Sequence, residues 1–335
     1  MVRLAPLLGL VVLAACGSRQ ATDVAASPAE PAPTTVAAAD VTPAAPPAAN
    51  AVAEAPAGTE PAARADTLDG ADPETVAAFR QIVEDARAQG VAGRPYGEVV
   101  QWVGEQLIGR PYVAGLLDAP ADETLVVNLT AFDCVLYIEN VLALARAIVL
   151  ERETYDAYAD GVRDLRYRDG DMDGYCSRLH YFSEWIANNE ARGTLQNVTA
   201  AIGGERFDKD ISFMGENRDA YPKLEADATY ACILDMEGAL ADLDLFYIPQ
   251  DRIAEAYAQL RPGDIVATAT SIGGLDVTHT GFVHKTDAHT GFMHASLSSN
   301  AVKVSDDLQE YVQGIRSQIG VVIARPLDPR TATEG

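Results

Sequence analysis

The sequence predicts an α+β fold in which a helix that starts at a cysteine packs on an antiparallel sheet. A long apolar helix follows Asp133 and Cys134, mainly helical patterns continue to about residue 260, and short strand-like segments come last. Helices first and strands afterwards are typical of an α+β arrangement. Short links between the strands indicate an antiparallel meander, with residues 151–260 as a helical insertion. The predicted strands cover residues 265–267, 276–285, 291–296, 301–304 and 319–325.

The chain begins with the features of an exported lipoprotein. Residues 1–15 combine a basic start, a short apolar run and small residues before Cys16, a pattern that resembles a lipobox. The apolar run is too short to span a membrane, so we expect a signal peptide over 1–15 and a lipid on Cys16. Gly17 and Ser18 carry no acidic retention signal. We therefore expect the periplasmic face of the outer membrane, with the lipid anchor as the membrane contact.

Composition separates a tether from a folded domain. Residues 16–68 are mostly Ala, Pro, Thr and acidic residues, which cannot bury enough apolar surface to fold, so we predict a disordered tether there and one domain over 69–328. The net charge of −24 argues against nucleic acid and anionic lipid headgroups as partners. We expect a monomer. In an oxidising compartment Cys176 and Cys232 would form a disulfide only if the fold brings them close.

Two amphipathic helices are predicted before the cysteine helix. The first starts at Asp72-Pro73-Glu74 and runs to about Gln89, and the second spans residues 96–107. Gly and Pro residues within 108–115 then force a loop. This loop would hold Tyr112 just before the cysteine helix.

Cys134 is the candidate nucleophile. Asp133 is a good N-cap, and Phe132 and Tyr137 fall at the positions of a hydrophobic staple, so Cys134 would be the first helical residue. The positive end of the helix dipole favours a thiolate there, which is the reactive form of cysteine. A buried structural cysteine is the alternative interpretation.

A segment of the insertion combines a buried stripe with polar residues outside it. The apolar residues of 179–186 recur at helical spacing, whereas Arg178, His180 and Tyr181 do not belong to their stripe. These three residues would form either ordinary surface and a helix cap or the lip of a substrate groove at an exposed edge.

Four of the five histidines lie in the predicted sheet, between residues 279 and 294. The chain reverses at about residues 286–290. His294 would therefore lie opposite His279 or diagonally one pair away, where the two side chains can touch. A thiolate, an imidazole base and a second polar group that fixes the base's tautomer form the catalytic device of a cysteine hydrolase.

A metal site is the competing interpretation of clustered histidines. His279 and His284 point to opposite faces of one strand and cannot both bind one ion. Neither a His-Glu-x-x-His nor a Cys-x-x-Cys pattern is present. We therefore predict no metal and no cofactor, and we place His284 on the far face and His289 in the turn.

Several motifs together resemble the NlpC/p60 superfamily of papain-like bacterial cell-wall hydrolases. They are Cys134 at a helix start, Leu-Arg-Pro-Gly-Asp-Ile-Val over 260–266, His-Thr-Gly-Phe over 279–282 and His-Ala-Ser over 294–296. The N-acetylmuramoyl-L-alanine amidase-like branch is the closer resemblance. Its motifs are matched by Pro-Tyr-Val-Ala-Gly over 111–115, the apolar run over 126–134, Glu139-Asn140 and Arg-Leu-His-Tyr-Phe-x-x-Trp over 178–185. The resemblance covers about residues 72–325.

The resemblance implies a papain-like NlpC-type fold and a cysteine amidase. The enzyme would act on peptidoglycan or its muropeptide fragments at the N-acetylmuramoyl–L-alanine bond. The resemblance implies Cys134 as nucleophile, His279 as base and His294 as the third residue. The residues that would bind substrate are Tyr112, Asp133, Arg178, His180 and Tyr181.

One departure from the superfamily pattern bears on the bond that is cleaved. Endopeptidases of the superfamily commonly read Asp-Cys-Ser-Gly, whereas Val135 and Leu136 follow Cys134 here. The hydroxyl that would help to hold a free L-alanine amine is missing, which fits an acylated alanine nitrogen. A γ-D-glutamyl–diamino acid endopeptidase, a non-catalytic peptidoglycan-binding lipoprotein and a lipid-directed acyltransferase are the alternative functions.

Overall fold

The computed structural model describes residues 71–331. The signal peptide predicted for residues 1–15, the lipidated Cys16 and the tether predicted for residues 16–68 lie outside the described residues. Between residues 71 and 331, no helix is both long enough and apolar enough to cross a membrane.

The predicted α+β architecture is confirmed: helices pack around an antiparallel sheet. The helices of the described chain are α1 (Pro73–Ala88), α2 (Tyr96–Glu105), α3 (Cys134–Val149), α4 (Tyr155–Arg166), α5 (Phe182–Ala191), α6 (Phe213–Glu216), α7 (Asp227–Leu240) and α8 (Leu308–Gln313). Its strands are β1 (Leu195–Asn197), β2 (Glu205–Arg206), β3 (Phe246–Pro249), β4 (Ile265–Thr270), β5 (Val277–Lys285), β6 (Thr290–Ser296), β7 (Ala301–Ser305) and β8 (Gln318–Pro326).

Helix α3 forms the centre of the domain. The Asp133 carboxylate accepts a hydrogen bond from the amide of Leu136 at 2.8 Å and caps the helix. The rings of Phe132 and Tyr137 meet edge to face with their centroids 5.8 Å apart, as a staple at the helix start. Apart from Arg146, every residue of α3 is buried. A helix that is apolar on almost all sides can only be stable inside a core.

The sheet has the strand order β2-β3-β8-β4-β5-β6-β7, and β1 also pairs with β8. The predicted meander is correct for β4 to β7 but wrong for β8, which returns to the other side of β4 and pairs with it over residues 318–324. Val321 and Ile323 of β8 are fully buried. A strand this apolar gains more from a central position than from the sheet edge beyond β7.

Four short elements of the fold, β1, β2, β3 and α8, are not predicted by the sequence. Strands β1, β2 and β3 have two to four residues, and α8 has six residues, so none of them shows a clear hydrophobic period. They are formed because the sheet supplies partners: β3 pairs with β8, and α8 packs its buried Leu308 and Val312 in the core beneath the sheet.

Both faces of the sheet are covered. One face packs on α3, where the rings of Tyr137 and Phe282 lie 5.7 Å apart. The other face carries Val283 and Phe292 into a second core together with α8. A third core lies within the insertion and includes residues of α6 and α7.

A disulfide bond links two separate parts of the insertion. Cys176 and Cys232 are bonded across 56 residues of sequence, with their Cα atoms 6.1 Å apart. The bond links the turn before α5 to α7, so the pairing that the sequence left open is present in the fold.

A buried ion pair connects α3 to α4. The Arg166 guanidinium lies 2.7 Å from the Glu139 carboxylate, and both side chains are about 1 % exposed. Arg166 also donates to the carbonyl oxygen of Val126 at 2.6 Å, in the extended segment that leads to Cys134. Burial raises the pKa of Glu139, while Arg166 opposes that rise. The pair thus ties together two helices and the segment that leads to the helix start.

We expect Glu139→Gln to destabilise the domain by about 3–5 kcal/mol, because it leaves the Arg166 guanidinium buried without its counter-charge. Urea unfolding at neutral pH measures the change. Asp160→Asn is the matched control, since Asp160 pairs with Arg163 on the exposed surface of α4 and such pairs contribute at most about 1 kcal/mol. Equal losses for both variants would contradict the assignment of a structural role to the buried pair.

Candidate active site

Cys134 is the first residue of α3 and is fully buried. Its backbone carbonyl accepts a hydrogen bond from the hydroxyl of Thr280 on β5 at 3.1 Å. Thr280 directly follows His279. The helix start that carries the candidate nucleophile is therefore fastened to the strand that carries the candidate base.

Asp133 holds the first turn of α3 from a buried position. Its side chain is 1 % exposed, and burial raises its pKa to about 7 although the amide of Leu136 opposes the rise. The carboxylate is committed to the helix amides. Its predicted part in substrate binding stays a prediction.

His279 and His294 are in contact. The Nε2 of His279 lies 2.8 Å from the Nδ1 of His294. The register pairs Phe282 with Met293, which places His294 across from Gly281 and diagonal to His279. This is one of the two arrangements that the sequence predicts. The Nε2 of His294 lies in turn 3.2 Å from the hydroxyl of Ser305 on β7.

The contacts restrict the protonation of the two rings. Neutral rings can satisfy both contacts in two ways, in which the protons all point either towards Ser305 or away from it. Only when His279 donates to His294, and His294 donates to Ser305, does His279 keep an unprotonated Nδ1. This is the tautomer that a general base requires.

Burial keeps both imidazoles neutral at pH 7. It lowers the pKa of His279 to about 4. It also holds the pKa of His294 well below its ordinary value, with smaller contributions in the same direction from His279 and Lys303. The ring of Phe292 stacks on His294 with a centroid separation of 4.6 Å and excludes water from this side of the pair.

A β-bulge precedes His279. Thr268 pairs with His279 but the next residue of β4, Ala269, pairs with Val277, so Thr278 is an extra residue. Val277 and Phe282 both pack in the core around α3 although they are five residues apart. The bulge thus changes which face the side chains take, and His279 lies at that change. Bulges of this kind re-aim side chains next to active sites.

Arg178 and His180 lie at a small cavity beside the helix start. Val135 and Glu139 of α3 line one side of this cavity, which has a volume of about 30 Å³, and Arg178 and His180 line another. The predicted exposed edge is wrong for both residues, because they are only 5 % and 6 % exposed.

Charge pairing explains the burial of Arg178. Its guanidinium pairs with Asp118, lies 3.7 Å from Glu123 and stacks over the ring of Tyr175. The Nε2 of His180 lies 2.8 Å from the carbonyl oxygen of Tyr175, and burial lowers the pKa of His180 to about 3. The cavity wall therefore presents a fixed cation and a neutral imidazole.

Tyr181 lies elsewhere. Its hydroxyl donates to Glu237 at 2.7 Å and accepts from the amide of Met214 at 2.8 Å, within the third core. It does not line the cavity that Arg178 and His180 share. The expectation of an exposed edge was wrong for this residue too, because the insertion folds over it.

Tyr112 lies next to the cysteine helix, as the sequence predicts for its loop. Its backbone forms a parallel bridge with Phe132, and its amide donates to the carbonyl oxygen of Asn300 at 3.1 Å. The side chain is 6 % exposed, and burial followed by the Asp133 charge raises its pKa above the ordinary value. The hydroxyl is therefore a neutral hydrogen-bond donor.

The other histidines of the sheet lie apart from this pair. The Nε2 of His284 lies 3.0 Å from Glu105 of α2, and His289 is exposed in the turn between β5 and β6. Over residues 71–331, no group of three or more His, Cys, Asp or Glu side chains is arranged to hold a metal ion.

Two residues of this arrangement were not recognised in the sequence. Thr280 belongs to a motif that was interpreted through its histidine alone. The hydrogen bond from Thr280 to Cys134 joins residues 146 positions apart in the sequence. Ser305 reaches His294 only because β7 pairs with β6 in the observed register. No local pattern indicates either contact.

Comparisons with known proteins identify a family and structures with the same fold. The AmiA-like family, described as N-acetylmuramoyl-L-alanine amidase-like, matches residues 102–320. A crystal structure of an N-acetylmuramoyl-L-alanine amidase from Bacteroides uniformis is 33 % identical, covers 70 % of this chain and 99 % of its own, and has a TM-score of 0.65. A putative xylanase from Bacteroides fragilis is 31 % identical, covers 67 % and 99 %, and has a TM-score of 0.64.

This chain belongs to the AmiA-like, N-acetylmuramoyl-L-alanine amidase-like family. The family indicates a hydrolase of the amidase type with a peptidoglycan-related substrate. A Legionella pneumophila structure that is 19 % identical, with a TM-score of 0.55, shares the fold. No curated protein matches the chain.

We expect His279 to destabilise the domain in acid. Its folded-state pKa of about 4 lies below the ordinary value of 6.5, so the buried ring has no effect on stability above pH 6.5 and destabilises the folded state progressively as the pH falls towards 4. The loss is about 1.4 kcal/mol per pH unit. Asp133 acts in the opposite direction, because its pKa is raised to about 7.

Because the two groups act in opposite directions, the measurement compares the pH dependence of stability of the wild type with that of a His279 variant. Urea unfolding is followed from about pH 7 to 4 for the wild type and for His279→Asn. The wild type should lose more stability than the variant as the pH falls. The exposed His289→Asn variant should follow the wild type. Parallel curves for the wild type and His279→Asn would show that the His279 pKa is not lowered.

We expect Gly281→Ala to disturb the histidine pair. A Cβ at this position would lie 2.6 Å from the carbonyl oxygen of Met293 and 2.8 Å from the Cβ of His294. We expect a loss of about 1–3 kcal/mol of stability and a displaced His294 ring, which NMR of the ring nitrogens detects. Gly238→Ala is the control, because its Cβ meets no atom within 4 Å and an added helix former should stabilise α7. An unchanged His294 signal in Gly281→Ala would contradict the expected clash.

Proposed function

We propose that this protein is a cysteine amidase that hydrolyses the N-acetylmuramoyl–L-alanine bond of peptidoglycan or of its soluble fragments. One observation carries the proposal. The contacts from His279 through His294 to Ser305 start on β5. Thr280 of the same strand donates a hydrogen bond to the carbonyl of Cys134, the first residue of α3. Nucleophile, base and orienting group are the parts that a cysteine hydrolase needs, and the chain belongs to a family named for amidase activity. It also supports a papain-like mechanism of the NlpC/p60 type.

The first half of the reaction forms a thioester. In its reduced form, Cys134 loses its proton to Nδ1 of His279, and the thiolate attacks the lactyl carbonyl carbon. The backbone amide of Cys134 lies at the positive end of the helix, where it can donate to the developing oxyanion. The neutral Tyr112 hydroxyl is the second candidate donor. His279 then returns the proton to the L-alanine nitrogen as the C–N bond breaks.

The second half regenerates the enzyme. A water molecule gives a proton to His279 and attacks the thioester carbonyl, and the lactyl carboxylate leaves as the proton returns to the Cys134 sulfur. His294 accepts from Nε2 of His279 throughout both halves. It therefore holds the ring in the tautomer that leaves Nδ1 unprotonated.

The residues beside the nucleophile fit an amide substrate whose alanine nitrogen is acylated. Val135 follows Cys134 and lines the small cavity, and its side chain carries no hydroxyl that could hold a free amine. Arg178 on the cavity wall is paired with Asp118 and lies near Glu123, so a carboxylate of the peptide would have to displace Asp118 to bind this cation. We assign Arg178 and His180 to substrate binding and give Tyr181 a structural place instead.

We also propose that the enzyme is an exported lipoprotein, anchored through Cys16 and held by a tether over residues 16–68. The sequence pattern at residues 1–16 supports this proposal. It would place a monomeric catalytic domain at the periplasmic face of the outer membrane, where peptidoglycan is within reach.

The experiment uses the anchor-free domain with soluble muropeptides, including anhydromuramoyl forms, and mass spectrometry of the products. We expect free muramic sugar and an intact peptide, and a loss of at least about 10⁴-fold in rate for Cys134→Ala. His289→Ala, which removes an exposed histidine, should retain the wild-type rate. The reductant concentration is the lowest at which the Cys134 thiol still reacts with a thiol-titrating reagent.

Other products would change the assignment. A released dipeptide would identify a γ-D-glutamyl–diamino acid endopeptidase instead. Transfer of an acyl group to an acceptor other than water would identify an acyltransferase. Binding of muropeptides without any cleavage, together with a Cys134 that ignores thiol-reactive probes, would identify a peptidoglycan-binding protein.

A further inference from the structure

A second cavity lies outside the candidate active site. It has a volume of about 130 Å³, is partly open to solvent, and is lined by residues of α5, β1, β5 and β8 and of the segment before β3. Its lining residues near the candidate active site are Asp276 and Val277, the latter two positions before His279. None of the residues that line the cavity beside Val135 contributes to it.

Most of the wall of this second cavity is apolar. The apolar lining residues are Ile186, Ala187, Phe207, Leu243, Leu245, Phe246, Val277 and Val322. A cavity of about this size with such walls can take a ring or a short alkyl chain, since an engineered apolar cavity of about 150 Å³ binds benzene. The size therefore limits an occupant to about six carbon atoms in its apolar part.

The charged groups of the cavity all have one sign. Glu190, Asp244 and Asp276 are carboxylates, and no Lys, Arg or His side chain is among the lining residues. The Asp276 side chain is 3 % exposed. An apolar cavity whose charges are all carboxylates is complementary to a cation with an apolar body.

Asp276 has no charged hydrogen-bond partner among residues 71–331. One carboxylate oxygen accepts from the amide of Val277 at 2.7 Å and the other from the amide of Ser183 at 2.8 Å. The Ser183 side chain and the amide of Asp276 itself also stabilise the ionised carboxylate. All of these donors are neutral, so the buried carboxylate can gain a counter-charge only from a ligand or from a more distant cation.

The nearby cations are committed to other groups. The Lys209 ammonium acts on Asp276 over a distance, but it donates to the carbonyl oxygens of Thr270 and Ile272. Arg206 pairs with the exposed Asp244 at the rim. Neither side chain lines the cavity.

We propose that this cavity binds a small amphiphilic cation, a primary ammonium with an apolar body of about six carbon atoms, with the ammonium at Asp276 and the body against the apolar wall. The site is separate from the hydrolase function proposed above. Its test reads binding alone and does not depend on catalysis.

The test compares two probes that differ in charge and not in length. Hexylammonium and hexanoate are titrated into the domain at equal ionic strength, and binding is followed by calorimetry and by NMR. The titration is made at about pH 8, because burial raises the pKa of Asp276 and the carboxyl has to be ionised. We expect a dissociation constant on the order of 1 mM for hexylammonium and at least about tenfold weaker binding of hexanoate.

Variants locate the site. Asp276→Asn should weaken hexylammonium binding at least about tenfold, whereas Asp242→Asn, an exposed residue outside the cavity, should change it less than about twofold. Ala187→Leu fills the cavity from α5 and should abolish binding. Ala187→Leu and the comparison of hexylammonium with hexanoate keep the test decisive if Asp276→Asn does not fold.

Three results would overturn the proposal. They are equal affinities for hexylammonium and hexanoate, no saturable binding of hexylammonium up to about 20 mM, and binding that survives Ala187→Leu unchanged. The first would show that the cavity selects only for apolar surface. The second would show that it is a packing defect, and the third would place the ligand elsewhere.

Discussion

The hydrogen bond between Thr280 and the carbonyl of Cys134 is the contact on which the candidate site depends. It joins the first turn of the central helix to the strand of the histidine pair. The Asp133 cap fixes the direction of that turn, and the bulge before His279 fixes how the strand presents its side chains. The cap therefore positions the helix start, the bulge positions the strand, and the hydrogen bond between Thr280 and Cys134 joins the two.

Burial determines the chemistry of the site. Burial lowers the pKa of His279 and His294 and so leaves both rings neutral at pH 7. Burial also raises the pKa of Asp133 to about 7. Polar groups inside α3 are tolerated because each has a partner: Glu139 has Arg166, and Asn140 accepts from Tyr158. An almost completely apolar helix can thus carry functional and structural polar groups into a dry interior.

The sequence predicted the features that are set locally. The helix boundary at Asp133 follows from its capping chemistry, and the strand alternation was sufficient to bring His294 within reach of His279. Features set by distant partners were not predictable. The position of β8, the burial of Tyr181 and the contact of Ser305 all depend on segments that meet only in the fold. Hydrophobic periodicity carries no information about such pairings.

The central position of β8 has a consequence for biosynthesis. It lies between β3 and β4, so the last strand of the described chain fills a gap in the middle of the sheet. A nascent chain that stops before residue 318 leaves two facing strand edges open, with the apolar side chains of both cores exposed around them. The sheet can therefore close only after almost the entire domain has left the ribosome. Until then, the polypeptide remains in an incompletely folded form that a chaperone can bind.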